Sequence, residues 1–280
     1  MRKKMSQVKH DKGFLIVATC HHFYKSSALA LIDSLDEYYP DCKIMVVCHE
    51  DFKEEFEMYP QVVEIRTDCP NERRTKLWAL RHTVFEKTCY LDADMEVQNE
   101  EIQKVWDLLD DDHDTAFGVI YPESGASTAI YREEGEQEIR DNNPEKHLRY
   151  HGGFFLWWHN DKHPNAIKAM ELWWDNWLSI NRNDEWWALP ENQKYFPMNR
   201  GWDQFTWWKI HMEILPELKI QEVENNTLEQ YRWNHNEYLA MFDKNLKEET
   251  INPIIKHRII PRAAMDEAKD GLVGGIERAG

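Results

Sequence analysis

Over its first hundred residues the chain alternates short apolar runs with segments whose apolar positions recur at helical spacing. Residues 14–19, 43–48, 62–65 and 89–91 read as strands, and 25–39, 52–58 and about 72–86 as helices between them. A βαβα order of this kind implies an α/β fold with a mostly parallel central sheet and helices on its faces. In such sheets ligands collect beyond the carboxyl ends of the strands. Thr19 to His22, after the first strand, and Asp92 and Asp94, after the fourth, are expected at that edge.

Further on the pattern changes. A short helix ends at Trp106 to Leu109, and 115–121 reads as another strand. Residues 122–150 are polar and charged, carry Gly125, Gly135 and Pro144, and lack apolar periodicity, as a solvated loop does. Eleven of the thirteen tryptophans then fall between Trp157 and Trp233. This shift divides the chain into a ligand-binding half, 1–120, and a tryptophan-rich half of the same domain, 121–280. Trp173, Trp174 and Trp177 share helical spacing with Ile167 and Met170 and read as core. Trp186, Trp187 and Trp202 lie near turn residues, where a flat ring with an N–H handle suits a sugar face.

Composition narrows the function classes. The 280 residues are 42% hydrophobic, enough for a sizeable core, and carry a formal charge of -17. That charge disfavours a protein whose affinity comes from neutralising a nucleic-acid backbone, and it disfavours a polybasic membrane anchor. The five cysteines are scattered without metal-ligand spacing, so reduced thiols are expected. The apolar run after the basic start is only seven residues, 14–20, too short for a signal peptide core or a membrane span, and the chain reads as cytoplasmic.

Candidate chemistry centres on Tyr90-Leu91-Asp92-Ala93-Asp94. In an extended strand side chains at i and i+2 face the same way, so Asp92 and Asp94 are expected to grip one cation together. Hard cations such as Mg²⁺ and Mn²⁺ take oxygen ligands and are held by one or two carboxylates with substrate phosphates completing the shell. A basic island precedes the pair in an otherwise acidic chain: Arg73, Arg74, Lys76, Arg81 and His82. Arg73 and Lys76 would share one helix face and meet phosphate there. Downstream, His151-Gly152-Gly153 allows close backbone approach to a ligand. Trp202-Asp203-Gln204 puts a carboxylate and an amide at a helix start, where Asp203 serves as a cap, as a sugar ligand, or as both. His257 follows a short apolar run late in the chain, and a neutral imidazole there would complete a Mn²⁺ shell.

In this order the pieces resemble the nucleotide-sugar-dependent glycosyltransferases of the GT-A fold, and the pattern is similar to that of families 8 and 34. The matching segments are Ile16-Val17-Ala18-Thr19, Lys76 ahead of Tyr90-Leu91-Asp92-Ala93-Asp94, Gly152-Gly153-Phe154, Trp202-Asp203-Gln204 and His257. Family 8 commonly has Asn-x-Gly where this chain has His151-Gly152-Gly153. The resemblance implies transfer of a sugar from a nucleotide diphosphate sugar, a UDP-sugar, to a hydroxyl of a glycan or other acceptor. It implies Mn²⁺ or Mg²⁺ on Asp92, Asp94 and His257, phosphate contacts from Arg73 and Lys76, and the nucleoside near Thr19. Asp203 and Gln204 would hold the sugar, with Asp203 alternatively the base toward the acceptor, and His151, Gly152, Gly153 and Trp202 on the sugar or acceptor side.

Two other readings use the same residues. An aspartyl phosphotransferase also carries Asp-x-Asp after a strand, but its motif sits on the first strand with Thr two residues beyond, where this chain has Glu96. A non-catalytic carbohydrate-binding protein accounts for the tryptophans and leaves the basic island unexplained. Within the transferases, a hydroxylated DNA base is an alternative acceptor, disfavoured by the net charge although Lys256, Arg258 and Arg262 form a local basic strip.

Overall fold

The computed structural model describes residues 8–72, 74–119, 129–132, 145, 147–223 and 254–257. Four parallel strands come first: β1 (His10–Ala18), β2 (Ile44–Cys48), β3 (Val62–Arg66) and β4 (Phe85–Leu91). Between them lie α1 (His22–Tyr38), α2 (Lys53–Glu57) and α3 (Thr75–Leu80). A short β5 (Met95–Val97) and a 3₁₀ segment, Glu100–Leu108, lead to β6 (Thr115–Val119) and then β7 (Tyr150–Trp158). The tryptophan-rich part contributes α4 (Pro164–Asn176), α5 (Asp184–Ala188), α6 (Asp203–Lys209) and the edge strand β8 (Ile220–Val223). A last strand, β9 (Ile255–His257), returns to pair antiparallel with β5.

The main sheet has seven strands in the order β3-β2-β1-β4-β7-β6-β8. β7 runs antiparallel between β4 and β6, and β8 is parallel to β6. The expected parallel character therefore holds for the first four strands, and the single reversal comes from β7. The sheet is continuous across residue 120, since β6 pairs with β7 and β8.

Period-2 alternation fixes which side chain faces which layer. Phe14, Ile16 and Ala18 join Cys89, Leu91, Phe154 and Leu156 in one core, closed by α1 and by Ile102, Val105 and Trp106 of the 3₁₀ segment. Leu15 and Val17 join Tyr90, Phe155 and Trp157 on the opposite face, closed by α3, α4 and α6. Gly13 lets β1 pass: a Cβ there would overlap the Phe85 ring and lie 2.7 Å from the Lys43 carbonyl oxygen. A third cluster gathers Ile130, Leu148, Ile180, Tyr195, Phe205 and Trp208.

The tryptophans at helical spacing pack as expected. Trp173, Trp174 and Trp177 are core, as are Trp157, Trp207 and Trp208. Trp186, Trp187 and Trp202 are partly buried and pack against the third cluster. Cys42, Cys48 and Cys89 are buried free thiols, and Cys20 is exposed.

One local expectation is corrected. The helix expected over about 72–86 is confined to Thr75–Leu80. Its chain leaves at Arg81, turns through Thr83 and is already extended at Phe85, because β4 begins four residues earlier than its apolar core suggests.

Candidate functional site

β4 ends at Leu91, and the chain turns at once. Asp92 O accepts from Met95 N at 3.1 Å, so Asp92, Ala93 and Asp94 form a turn into β5 instead of an extended strand. Ala93 and Met95 are buried, while Asp92 and Asp94 are both partly exposed. Asp92 N donates to Gly153 O at 2.9 Å, fixing the turn to β7. The β5–β9 pairing sets the backbone of His257 opposite Met95, one residue beyond Asp94. The late histidine thus returns to the carboxylate turn along the chain, although its side chain lies outside the described residues.

Asp203 opens α6 and is 2% exposed. Trp202, not Asp203, occupies the N-cap, and no side chain caps the helix, so the cap role expected for Asp203 is not realised. Its carboxylate faces cations instead. Asp203 Oδ2 lies 3.0 Å from Lys76 Nζ and Oδ1 lies 3.4 Å from the Arg74 guanidinium. Its backbone carbonyl accepts from Trp173 Nε1 at 3.0 Å and from Thr206 Oγ1 at 2.8 Å.

Lys76 is the hub. From the first turn of α3 its ammonium donates to Gly152 O at 2.8 Å and approaches Asp92 Oδ1 at 3.4 Å as well as Asp203. Of its three protons, hydrogen bonds take two, to Gly152 O and Asp92 Oδ1, and Asp203 Oδ2 is held as an ion pair. The basic island is therefore no solvated helix face at this position. Burial alone would discharge Lys76, but the Asp203 and Asp92 carboxylates outweigh it and hold its pKa above the ordinary value. Burial likewise works to raise the Asp203 pKa, and Arg74 and Lys76 reverse the sign, bringing it down to about 2.

Tyr90 faces the same layer as Lys76. Its hydroxyl donates to Asp92 Oδ1 at 2.7 Å, and the Lys76 ammonium sits 5.6 Å from its ring centroid. Burial first, and then the Asp92 charge, push the phenol far above its usual pKa, so it remains a donor. Gly152 lines the cleft opposite: a Cβ there would lie 3.4 Å from Asp203 Oδ2 and 3.7 Å from the Gln204 amide.

The structure thus brings together Lys76, Asp92, Asp94, Gly152, Gly153, Asp203 and Gln204. Trp202 adjoins them, its carbonyl held by Asn181 Nδ2 at 2.7 Å. Thr19 follows β1 at the same sheet edge, with its hydroxyl donating to Glu72 O at 3.4 Å. Cys20 beside it has a φ of 73°, an unusual value for a residue with a Cβ. Arg73 and the side chain of His151 lie outside the described residues. Sequence reasoning counted Arg74 in the basic island without giving it a separate role, and it gave Tyr90 none; Arg74 also donates to Gly201 O at 3.2 Å and lies over the Trp177 ring. The signal for Arg74 was its place two residues before Lys76; for Tyr90 it was the period-2 register with Asp92.

Among the described residues, no three His, Cys, Asp or Glu side chains form a metal-holding group by themselves. Two partly exposed carboxylates at one turn still suit a hard divalent cation, whose shell a diphosphate would complete. No helix among the described residues is long and apolar enough to cross a membrane.

The sheet order, the carboxylate turn after β4 and the helices on both faces define an α/β fold of the GT-A type. No protein-family model matches the chain, and no curated protein matches it by sequence. Among solved structures it is similar to the glycosyltransferase GlyE of Streptococcus pneumoniae TIGR4, with a TM-score of 0.54 at 12% identity over 89% of this chain and 55% of that one. It is similar as well to the bifunctional glycosyltransferase WbbM, with a TM-score of 0.56 at 14% identity over 90% of this chain and 46% of that one. The chain spans about half the length of each. At these identities the likeness is one of fold.

Proposed function

We propose that the protein is a metal-dependent glycosyltransferase that moves a sugar from a nucleotide diphosphate sugar, a UDP-sugar by the motif resemblance, to a hydroxyl of a glycan or similar acceptor. One observation carries this reading. The two carboxylate stations, Asp92 with Asp94 and Asp203 with Gln204, stand on one sheet edge and are bridged by a single buried ammonium, Lys76. That arrangement suits a substrate with a diphosphate at one end and a hydroxylated ring at the other.

Asp92 and Asp94, with His257 as third ligand, would hold Mn²⁺ or Mg²⁺. When bound, the cation supplies Lewis-acid stabilisation of the departing diphosphate. The chain's own residues do the rest. Gly153 O anchors the turn through Asp92 N, so the carboxylates need not reorganise when the donor arrives. Asp203 is an anion with a pKa of about 2, too weak a base for work near neutrality, and its role is to accept hydrogen bonds from sugar hydroxyls. Gln204, partly exposed beside it, offers both a donor and an acceptor to the same ring. Lys76 sits between the two carboxylates and offsets their mutual repulsion, with Arg74 assisting on the Asp203 side. Arg73 remains for the phosphates, and Thr19 marks the nucleoside end.

A thermal-shift panel of nucleotide sugars with and without Mn²⁺ tests the reading, because a ligand that binds only the native state raises its melting temperature. At least one UDP-sugar should raise Tm in the presence of Mn²⁺ and lose that effect in excess chelator. Equal shifts with and without metal would remove the metal claim, and no shift with any nucleotide sugar would remove the donor.

A further inference from the structure

The proposed reaction needs Asp92 to offer the cation a defined oxygen, and the residue two positions earlier controls which one. Tyr90 lies in the last turn of alternation in β4, opposite Phe155 of β7, with ring centroids 5.2 Å apart and the phenol 2% exposed. Its ring packs against Phe155, with the Lys76 ammonium 5.6 Å from its centroid, and its hydroxyl reaches toward the carboxyl edge. There it meets Asp92 Oδ1 at 2.7 Å, the distance of a strong O–H to carboxylate bond. Lys76 Nζ approaches the same atom at 3.4 Å. Both contacts fall on Oδ1, and Oδ2 is the oxygen they leave for a cation.

We infer that Tyr90 is a positioning residue for the metal: by occupying Asp92 Oδ1 it turns the carboxylate so that Oδ2 serves as a single-oxygen ligand. The inference rests on the metal site proposed above and extends it one shell outward. Hydrogen-bonded partners of a ligand set its orientation, and their loss commonly costs about 10- to 100-fold in metal affinity. A carboxylate fixed through one oxygen also loses less rotational freedom on binding, which favours a small cation that demands regular geometry.

The test is a titration of Mn²⁺ followed by the electron paramagnetic resonance signal of the free aquo ion, in the presence of uridine diphosphate. Tyr90→Phe keeps the ring and its contact with Phe155, and the Mn²⁺ Kd should rise at least about fivefold, toward the range above. Phe155→Leu disturbs the same packing without touching the hydroxyl, and its Mn²⁺ Kd should stay within about twofold of the wild type, whatever it does to Tm. A Tyr90→Phe protein that binds Mn²⁺ as tightly as the wild type, or more tightly, overturns the inference. So does an equal loss in Phe155→Leu, since packing alone would then account for the effect. Failure of the wild type itself to bind Mn²⁺ would instead overturn the metal site. Should Tyr90→Phe not fold, the 3-fluorotyrosine-substituted protein gives the same reading: a stronger phenol donor should change the Mn²⁺ Kd, and an unchanged value overturns the role.

Discussion

The two carboxylate stations of the cleft solve opposite electrostatic problems. The Asp92 to Asp94 turn is partly open to solvent, and Asp92 meets one neutral hydroxyl at 2.7 Å and a shared ammonium at 3.4 Å. Asp203 is buried, with Lys76 at 3.0 Å and Arg74 at 3.4 Å. The first station keeps negative charge on offer. The second has its charge matched internally, so that folding already compensates the cost of burying it. The difference matches the two uses proposed above: an anion that is to bind an external cation must stay under-compensated, and one that is to bind neutral hydroxyls must not.

The sharpest way to break this contrast is to neutralise each carboxylate in turn. Asp203→Asn leaves Lys76 and Arg74 facing an uncharged amide in a buried place, and removing one partner of such a pair costs about 3–5 kcal/mol of stability. Asp92→Asn removes a partly exposed charge and should cost under about 1 kcal/mol, while transfer falls by about 10³-fold through loss of the cation. Urea unfolding and a donor-turnover assay on both variants separate the two outcomes. Equal destabilisation would erase the distinction between the stations.

Acid titration sharpens the same contrast. The Asp203 pKa of about 2 in the fold lies below its ordinary 3.8. Its contribution is thus fully present above about pH 4 and is lost as pH falls toward 2, by an amount on the order of 2 kcal/mol. His159 and His211 set a background: burial lowers each to about 4, so the unfolded chain takes up their protons first as pH falls from 6.5. Each histidine removes on the order of 3 kcal/mol between pH 6.5 and 4. Unfolding free energies of the wild type minus those of Asp203→Asn cancel the histidines. That difference should be flat from pH 7 to about 4 and shrink below; a decline already complete by pH 5 would show that Asp203 is not held as described.

Much of the parallel frame was legible because local pattern decides it. β1, β2 and β3 are apolar runs spaced by helices, and Asp92 could be put at a carboxyl edge from strand order alone. What escaped the sequence depends on long-range pairing. The antiparallel insertion of β7 between β4 and β6 leaves no local mark, and neither does the return of β9 to β5 across more than a hundred residues. Arg74 and Lys76 illustrate the limit within the site. Charge clustering pointed to the island, but only the docking of α6 decides that Lys76 faces inward to Asp203. The cap reading of Asp203 failed for the same reason: its side chain found two cations brought by α3, which no rule for helix starts can foresee. The extended geometry expected for Asp92 and Asp94 gave way to a turn, in which both carboxylates are partly exposed and Ala93 and Met95 are buried.

The mildest test of the contrast lies between the stations, at Gly152. An added Cβ would stand 3.4 Å from Asp203 Oδ2 and 3.7 Å from Gln204, an ordinary packing distance, so Gly152→Ala should fold with a change under about 1 kcal/mol. The Gly152 carbonyl still accepts from Lys76, because the backbone is unchanged. What changes is access: the methyl would occupy space beside the two groups assigned to the sugar and leave the carboxylate turn alone. The donor KM should therefore rise several-fold while the Mn²⁺ Kd in the presence of uridine diphosphate stays at its wild-type value. If instead metal affinity falls while KM rises, the two stations do not act on separate ends of the substrate, because a methyl that touches only Asp203 and Gln204 would then be felt at Asp92.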